Sequence, residues 1–90
     1  MKCTEPNGRK VEIPDGSTIR GTIHYMHSRH ESFSGYGFIL GDGVSYFFLP
    51  SSVIRSEGIR FSMLQKGQSV EFVAHAGDRG PYATEVRVIV

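Results

Sequence analysis

Between Gly35 and Leu49 the chain has few ways to fold. Tyr36-Gly37-Phe38-Ile39-Leu40 and Ser45-Tyr46-Phe47-Phe48-Leu49 are two short runs rich in aromatic and branched residues, and Gly41-Asp42-Gly43 lies between them. Glycine and aspartate tolerate positive φ, which a tight hairpin turn requires. The segment therefore predicts a β-hairpin over 36–49, and Pro50, which cannot donate to a ladder, ends it. Side chains alternate between the two faces of a strand, so Tyr36 and Phe38 share one face and Ile39 takes the other. On the second strand the reading puts Phe47 and Leu49 inward and Tyr46 and Phe48 outward. The hairpin then buries Ile39, Phe47 and Leu49 and leaves Tyr36, Phe38 and Phe48 on its outer face.

The rest of the sequence extends the β reading. Val, Ile and Thr number 19 of the 90 residues, whereas Ala and Leu together number 6. Strand formers thus outweigh strong helix formers. Ser17–Met26 reads as a strand with Ile19, Ile23 and Tyr25 in alternation, and residues 27–34 as a polar loop. Ser51–Ile54 reads as a single 3₁₀ turn. Arg55–Lys66 is a long connection that Ile59, Phe61, Met63 and Leu64 would anchor. Ser69–Ala76 is a fourth strand with Val70, Phe72 and Ala74 inward, Gly77–Pro81 a turn, and Ala83–Val90 the last strand. Five strands at this spacing predict an all-β fold, a small five-stranded antiparallel closed barrel, since closure removes exposed edges. Residues 1–16 read as a polar arm with a short strand at Val11–Ile13. Three roles stay open for it: an added strand, a cap on the barrel end, or a disordered tail.

Charge and cysteine content narrow the function. Ten Lys and Arg against nine Asp and Glu give a net charge of +1, so this is no histone-like basic arm. Nucleic-acid binding would have to rest on local placement and stacking. The single cysteine, Cys3, excludes an internal disulfide and a cysteine-based zinc site. His24, His27 and His30 recur every third residue, but they leave a strand for a loop, where no shared face results. They read as a weakly cationic rim that gains charge in mildly acid solution, and no metal or other cofactor is expected. Ser51-Ser52 lacks an activating pattern, no phosphate-binding loop is present, and no catalytic constellation emerges; the protein is not expected to be an enzyme. With neither a signal peptide nor a membrane-length apolar run at hand, a cytoplasmic location is expected.

Gly-aromatic-Gly-aromatic at 35–38 is the pattern of a stacking platform, because every base has a π-face. An aromatic patch covered by the 55–66 connection or the N-terminal arm is the competing reading. At these residues the chain resembles a cold-shock domain. Five stretches carry the resemblance in order over residues 20–90: Gly21-Thr22-Ile23-His24-Tyr25-Met26, Ser34-Gly35-Tyr36-Gly37-Phe38-Ile39, Phe47-Phe48-Leu49-Pro50-Ser51-Ser52, Leu64 to Phe72, and Gly80 to Val86. The third is set against the family's Val-Phe-Val-His-Phe-Ser.

The resemblance implies that residues 17–90 form an oligonucleotide-binding (OB-fold) barrel that binds single-stranded RNA or DNA with low sequence specificity. It would act by base stacking, as a nucleic-acid chaperone or a regulator of transcription or translation. Tyr25, Tyr36, Phe38 and Phe48 would be the stacking residues, with Met26 at a neighbouring aromatic position. His24 stands where the family has lysine. Arg79 and Lys66 would meet phosphates, and Tyr46 and Tyr82 would extend the platform. Ser34 replaces a family lysine, and Pro50-Ser51 fall at a His-Phe pair. These losses frame the alternative, a protein–protein interaction barrel that has partly given up its nucleic-acid face. Neither a membrane nor a small-molecule substrate is implied.

Overall fold

The computed structural model describes residues 1–28, 35–54 and 64–89. The anchors expected at Ile59, Phe61 and Met63, and the loop positions His30 and Ser34, lie outside them. Among the described residues, seven strands occur in chain order: β1 (Lys2–Thr4), β2 (Lys10–Glu12), β3 (Thr18–Ser28), β4 (Gly35–Gly41), β5 (Val44–Phe48), β6 (Ser69–Gly77) and β7 (Gly80–Val88), with a 3₁₀ turn at Pro50–Ser52. Among the described residues no helix is long and apolar enough to cross a membrane.

Strands β3 to β7 close into a barrel in the order β3-β4-β5-β7-β6. The all-β closed barrel agrees with the sequence reading, but its strands are not all antiparallel: β5 and β7 run parallel, with Phe47 opposite Tyr82. The cause is parity. Directions can alternate all the way round a ring only if the number of strands is even. A closed ring of five must contain a like-directed neighbouring pair, and here the β5–β7 seam is that pair. A parallel bridge between Val53 and Val86 prolongs it beyond the strand end.

The expected β4–β5 turn forms as a two-residue connection. Asp42 and Gly43 both have positive φ, 50° and 77°, and that matches the right-handed twist of the flanking strands. Inside the barrel lie Ile23, Ile39, Tyr46, Phe48, Val70, Phe72, Ala74, Ala83 and Val86. Tyr46 and Phe72 meet there at 5.0 Å between ring centroids. Val70, Phe72 and Ala74 face inward as the alternation on β6 predicts.

Two irregularities reset that alternation. On β3, Ile23 pairs with Ile39 but Tyr25 pairs with Phe38, so His24 is an extra residue in a β-bulge. On β7 the register slips between the pairs Glu71–Arg87 and Val73–Thr84, at Glu85, whose φ is 49°.

Residues 1–16 are not a free arm. β1 and β2 pair in a small antiparallel sheet, Lys2 opposite Glu12 and Thr4 opposite Lys10. Its inward residues Cys3, Val11 and Ile13 join the barrel's own core cluster. Of the three roles left open, the cap is the one observed. At the hairpin tip, Glu5 is buried, with Arg9 Nε 3.3 Å from its Oε1, close enough for ion pairing but not aligned as a hydrogen bond.

Gly37 shows how tightly the core is filled. A Cβ there would stand 2.5 Å from Phe48 Cε1 and 2.9 Å from Met26 Sδ. The close approach that a strand glycine permits is thus made by the protein's own Phe48 ring. Gly37→Ala is expected to destabilise the fold by about 1–3 kcal/mol through overpacking. Chemical denaturation measures this, and an unchanged midpoint would contradict the packing described.

Candidate nucleic-acid interface

The outer aromatic surface is assembled from three adjacent strands. The bulge at His24 turns both His24 and Tyr25 outward and returns Met26 to the core side. Tyr25 is 42% exposed. Strict alternation with Ile19 and Ile23 would have buried it, so its inward placement is corrected by the bulge. Across the ladder, Tyr25 stands opposite Phe38 and His27 opposite Tyr36. The next strand places Phe47 opposite Phe38.

These side chains touch as a continuous layer. Ring centroids are 5.8 Å apart for Tyr25–Tyr36, 6.1 Å for Tyr25–Phe38, 5.8 Å for Tyr36–Phe47 and 5.6 Å for Phe38–Phe47. His27 stacks on Tyr36 at 5.1 Å, and His24 approaches Phe38 at 6.2 Å. His24 Nε2 shares a 2.9 Å hydrogen bond with Ser45 Oγ, which fixes the imidazole beside the rings. A shallow depression is lined by His24, Tyr25, Tyr36, Phe38 and Ser45. The Tyr36 hydroxyl beside Tyr25 pushes the Tyr25 phenol above its ordinary range. The Tyr25 phenol is therefore a neutral donor at physiological pH.

On β5 the expected faces are reversed. Tyr46 and Phe48 are each 1% exposed and point into the barrel, whereas Phe47 lies outside among the platform rings. Leu49, expected inside, is 44% exposed. Burial pushes the Tyr46 phenol upward, with Asp42 and Cys3 adding to the effect. The signal for the true parity was present in the sequence. Val44 and Ser45 open the strand as an apolar–polar pair, and Ser45 outward carries Phe47 outward with it. Sliding the motif by one residue also sets its phenylalanine on Phe47 and its serine on Ser51. Leu49 and Pro50, rather than Pro50 and Ser51, then stand at the His-Phe pair.

The remaining predicted residues divide. Tyr82 is exposed and stacks on His75 at 4.9 Å. His75 Nε2 shares a 2.8 Å hydrogen bond with Thr84 Oγ1, which steadies that pair of rings. Tyr82 also stands across the seam from Phe47. Arg79, in the β6–β7 turn, lines a second and deeper cleft with Phe38, Phe47 and Tyr82. Lys66 is exposed in the turn before β6, where the next N–H, that of Gly67, donates to the Ile23 carbonyl. It lines neither depression. The structure thus brings together His24, Tyr25, Tyr36 and Phe38, adds Phe47 and His27, sets Arg79 and Tyr82 beside them, and leaves Met26, Tyr46 and Phe48 on the core side.

Comparison with known proteins agrees with this architecture. The 'Cold-shock' DNA-binding domain family matches residues 20–89. Cold shock protein CspA of Staphylococcus saprophyticus is 39% identical over 67 residues, covering 74% of this chain and 92% of the relative. The cold shock-like protein of Thermotoga maritima is 38% identical over 71 residues, 79% of this chain and 98% of the relative. Cold shock protein 2 of Lactiplantibacillus plantarum is 42% identical over 67 residues, 74% and 92% respectively.

Proposed function

The chain belongs to the cold-shock domain family, a nucleic-acid-binding and non-enzymatic family, and from that premise we propose that it binds single-stranded RNA or DNA by stacking bases on Tyr25, Tyr36, Phe38 and Phe47. The observation that carries the reading is the continuous layer of these four rings on one outer surface of the barrel. Tyr25 is exposed and Tyr36, Phe38 and Phe47 are half-buried, and a contiguous aromatic patch of this kind on a small domain marks a docking surface. Rings read stacking surfaces rather than base edges, so sequence preference is low. By holding bases unstacked from one another, the protein disfavours hairpins in its target without consuming ATP. That is the action of a nucleic-acid chaperone, with regulation of transcription or translation as its outcome, and a cytoplasmic site of action belongs to the same reading. Arg79 and Tyr82 extend the surface across the β5–β7 seam.

The protein-interaction alternative keeps one observation in its favour. Leu49, exposed at the end of β5, and Pro50 present aliphatic surface where the family pattern has His-Phe. A partner protein that stays bound after nuclease treatment would speak for it.

With a net charge of +1, most of the affinity must come from rings rather than ions. Titration of labelled oligothymidylate and U-rich RNA is expected to show binding of both. Its salt dependence should be shallow, equivalent to about two or three neutralised phosphates. No binding to either would overturn the proposal, and a steep slope would overturn its stacking basis.

A further inference from the structure

The family match starts at residue 20, so the β1–β2 hairpin lies outside it. The hairpin nevertheless reaches the ligand-facing side of the barrel. Cys3 Sγ donates to the Gly77 carbonyl at 3.4 Å. Pro6 packs on Gly80, where a Cβ would meet Pro6 Cδ at 3.0 Å; Gly80 also has φ 125°, which disfavours any side chain. The hairpin tip is thereby seated on the β6–β7 turn.

There Pro6 forms one wall of a cleft of 490 Å³ whose other walls include Phe47, Leu49, Pro81, Tyr82 and Arg79. The cleft is continuous with the platform, since Phe38 lines both depressions and Phe47 touches Tyr36 and Phe38. Its volume falls in the range of sites that enclose small organic ligands, about 300–1,000 Å³. Its walls are flat and apolar, formed by two proline rings and a tyrosine ring. Two charged side chains line the cleft, both exposed at the turn: the guanidinium of Arg79, which can meet a phosphate, and the carboxylate of Asp78, which directs the phosphate to the Arg79 side. A flat heterocycle carrying a phosphate is the ligand such a lining suits.

We propose that the N-terminal hairpin is part of the nucleic-acid surface, and that Pro6 completes a pocket at the end of the platform which takes one further base of a bound strand. This rests on the nucleic-acid reading above and adds to it a segment that the family domain does not include. The hairpin then has two duties: its apolar side caps the core, and its tip sets how far along the barrel a strand is gripped.

The test uses oligothymidylates lengthened one nucleotide at a time, titrated into the full chain and into Pro6→Asp. For the wild type, affinity should rise with length and take a last step when the strand reaches the cleft. Pro6→Asp should lose that step, a weakening of roughly five-fold or more for the longer strands, the lower end of what one stacked base contributes. Oligomers short enough to occupy the platform alone should bind both proteins equally. In the wild-type protein, the amide signals of Glu5, Asn7 and Gly8 should shift with long strands and not with short ones. This second readout does not depend on the variant folding. Equal affinity of the two proteins at every length, equal weakening at every length, or unmoved hairpin amides would each overturn the inference while leaving the platform reading in place. Failure of the wild type to bind any oligomer would remove the platform reading, and this inference with it.

Discussion

Replacing Tyr36 and Phe38 together by alanine is expected to weaken binding to oligothymidylate by at least about thirty-fold. Each stacked base contributes about 1–3 kcal/mol, so two lost rings remove no less than about 2 kcal/mol. The pair sits at the centre of the layer. Tyr36 touches Tyr25, His27, Phe38 and Phe47, and Phe38 touches His24, Tyr25, Tyr36 and Phe47. The double substitution therefore removes the middle of the platform rather than its margin. Both side chains lie on the outer face, and the interior is untouched. The fold should lose only ring–ring contact, about 0.5–1.5 kcal/mol for each pair broken. Fluorescence titration beside a thermal melt separates the two effects. Undiminished affinity in a folded double variant would end the stacking mechanism.

The second large effect distinguishes neighbours. Phe48→Ala empties a fully enclosed site between Gly37 and Met26. Such a truncation costs about 3–5 kcal/mol, against a total stability of about 5–15 kcal/mol for a typical domain. For a domain of this length each kcal/mol moves the thermal midpoint by roughly 4–8 °C. Phe48→Ala should melt far below the wild type, or fail to fold at 37 °C. Phe47→Ala, one residue away on the opposite face, should melt much closer to the wild type and lose affinity instead. If the two variants exchanged these phenotypes, the strand register described here would be reversed.

That pair also marks where the sequence was legible and where it was not. The turn at Asp42-Gly43 and the inward set Val70, Phe72 and Ala74 follow from φ tolerance and period-two alternation, so the barrel's hairpins could be read directly. The face of β5 could not be taken from its aromatic run, because Tyr46, Phe47 and Phe48 are apolar on both sides. The polar residue that breaks the tie, Ser45, lies just ahead of them. The outward turn of Tyr25 depends on an inserted residue, His24, and a bulge leaves no mark in an alternation count. The cap formed by residues 1–16 was hidden for another reason. Each of its strands is three residues long, too short to display a period, and its apolar residues find their partners on the far end of the chain. The parallel seam needed no further data, because counting strands round a closed ring requires it.

Among the described residues, that seam is tied by Phe47 opposite Tyr82 and by the bridge from Val53 to Val86. A ring of ladders yields first at its thinnest joint, and local opening draws on regions with the fewest cross-connections. Here the joint carries an aromatic ring on each of its two banks. A polynucleotide lying over Phe47 and Tyr82 would lace the banks together, because whatever binds the closed ring alone also holds it closed. In such a barrel, gripping the cargo and fastening the container are a single thermodynamic act.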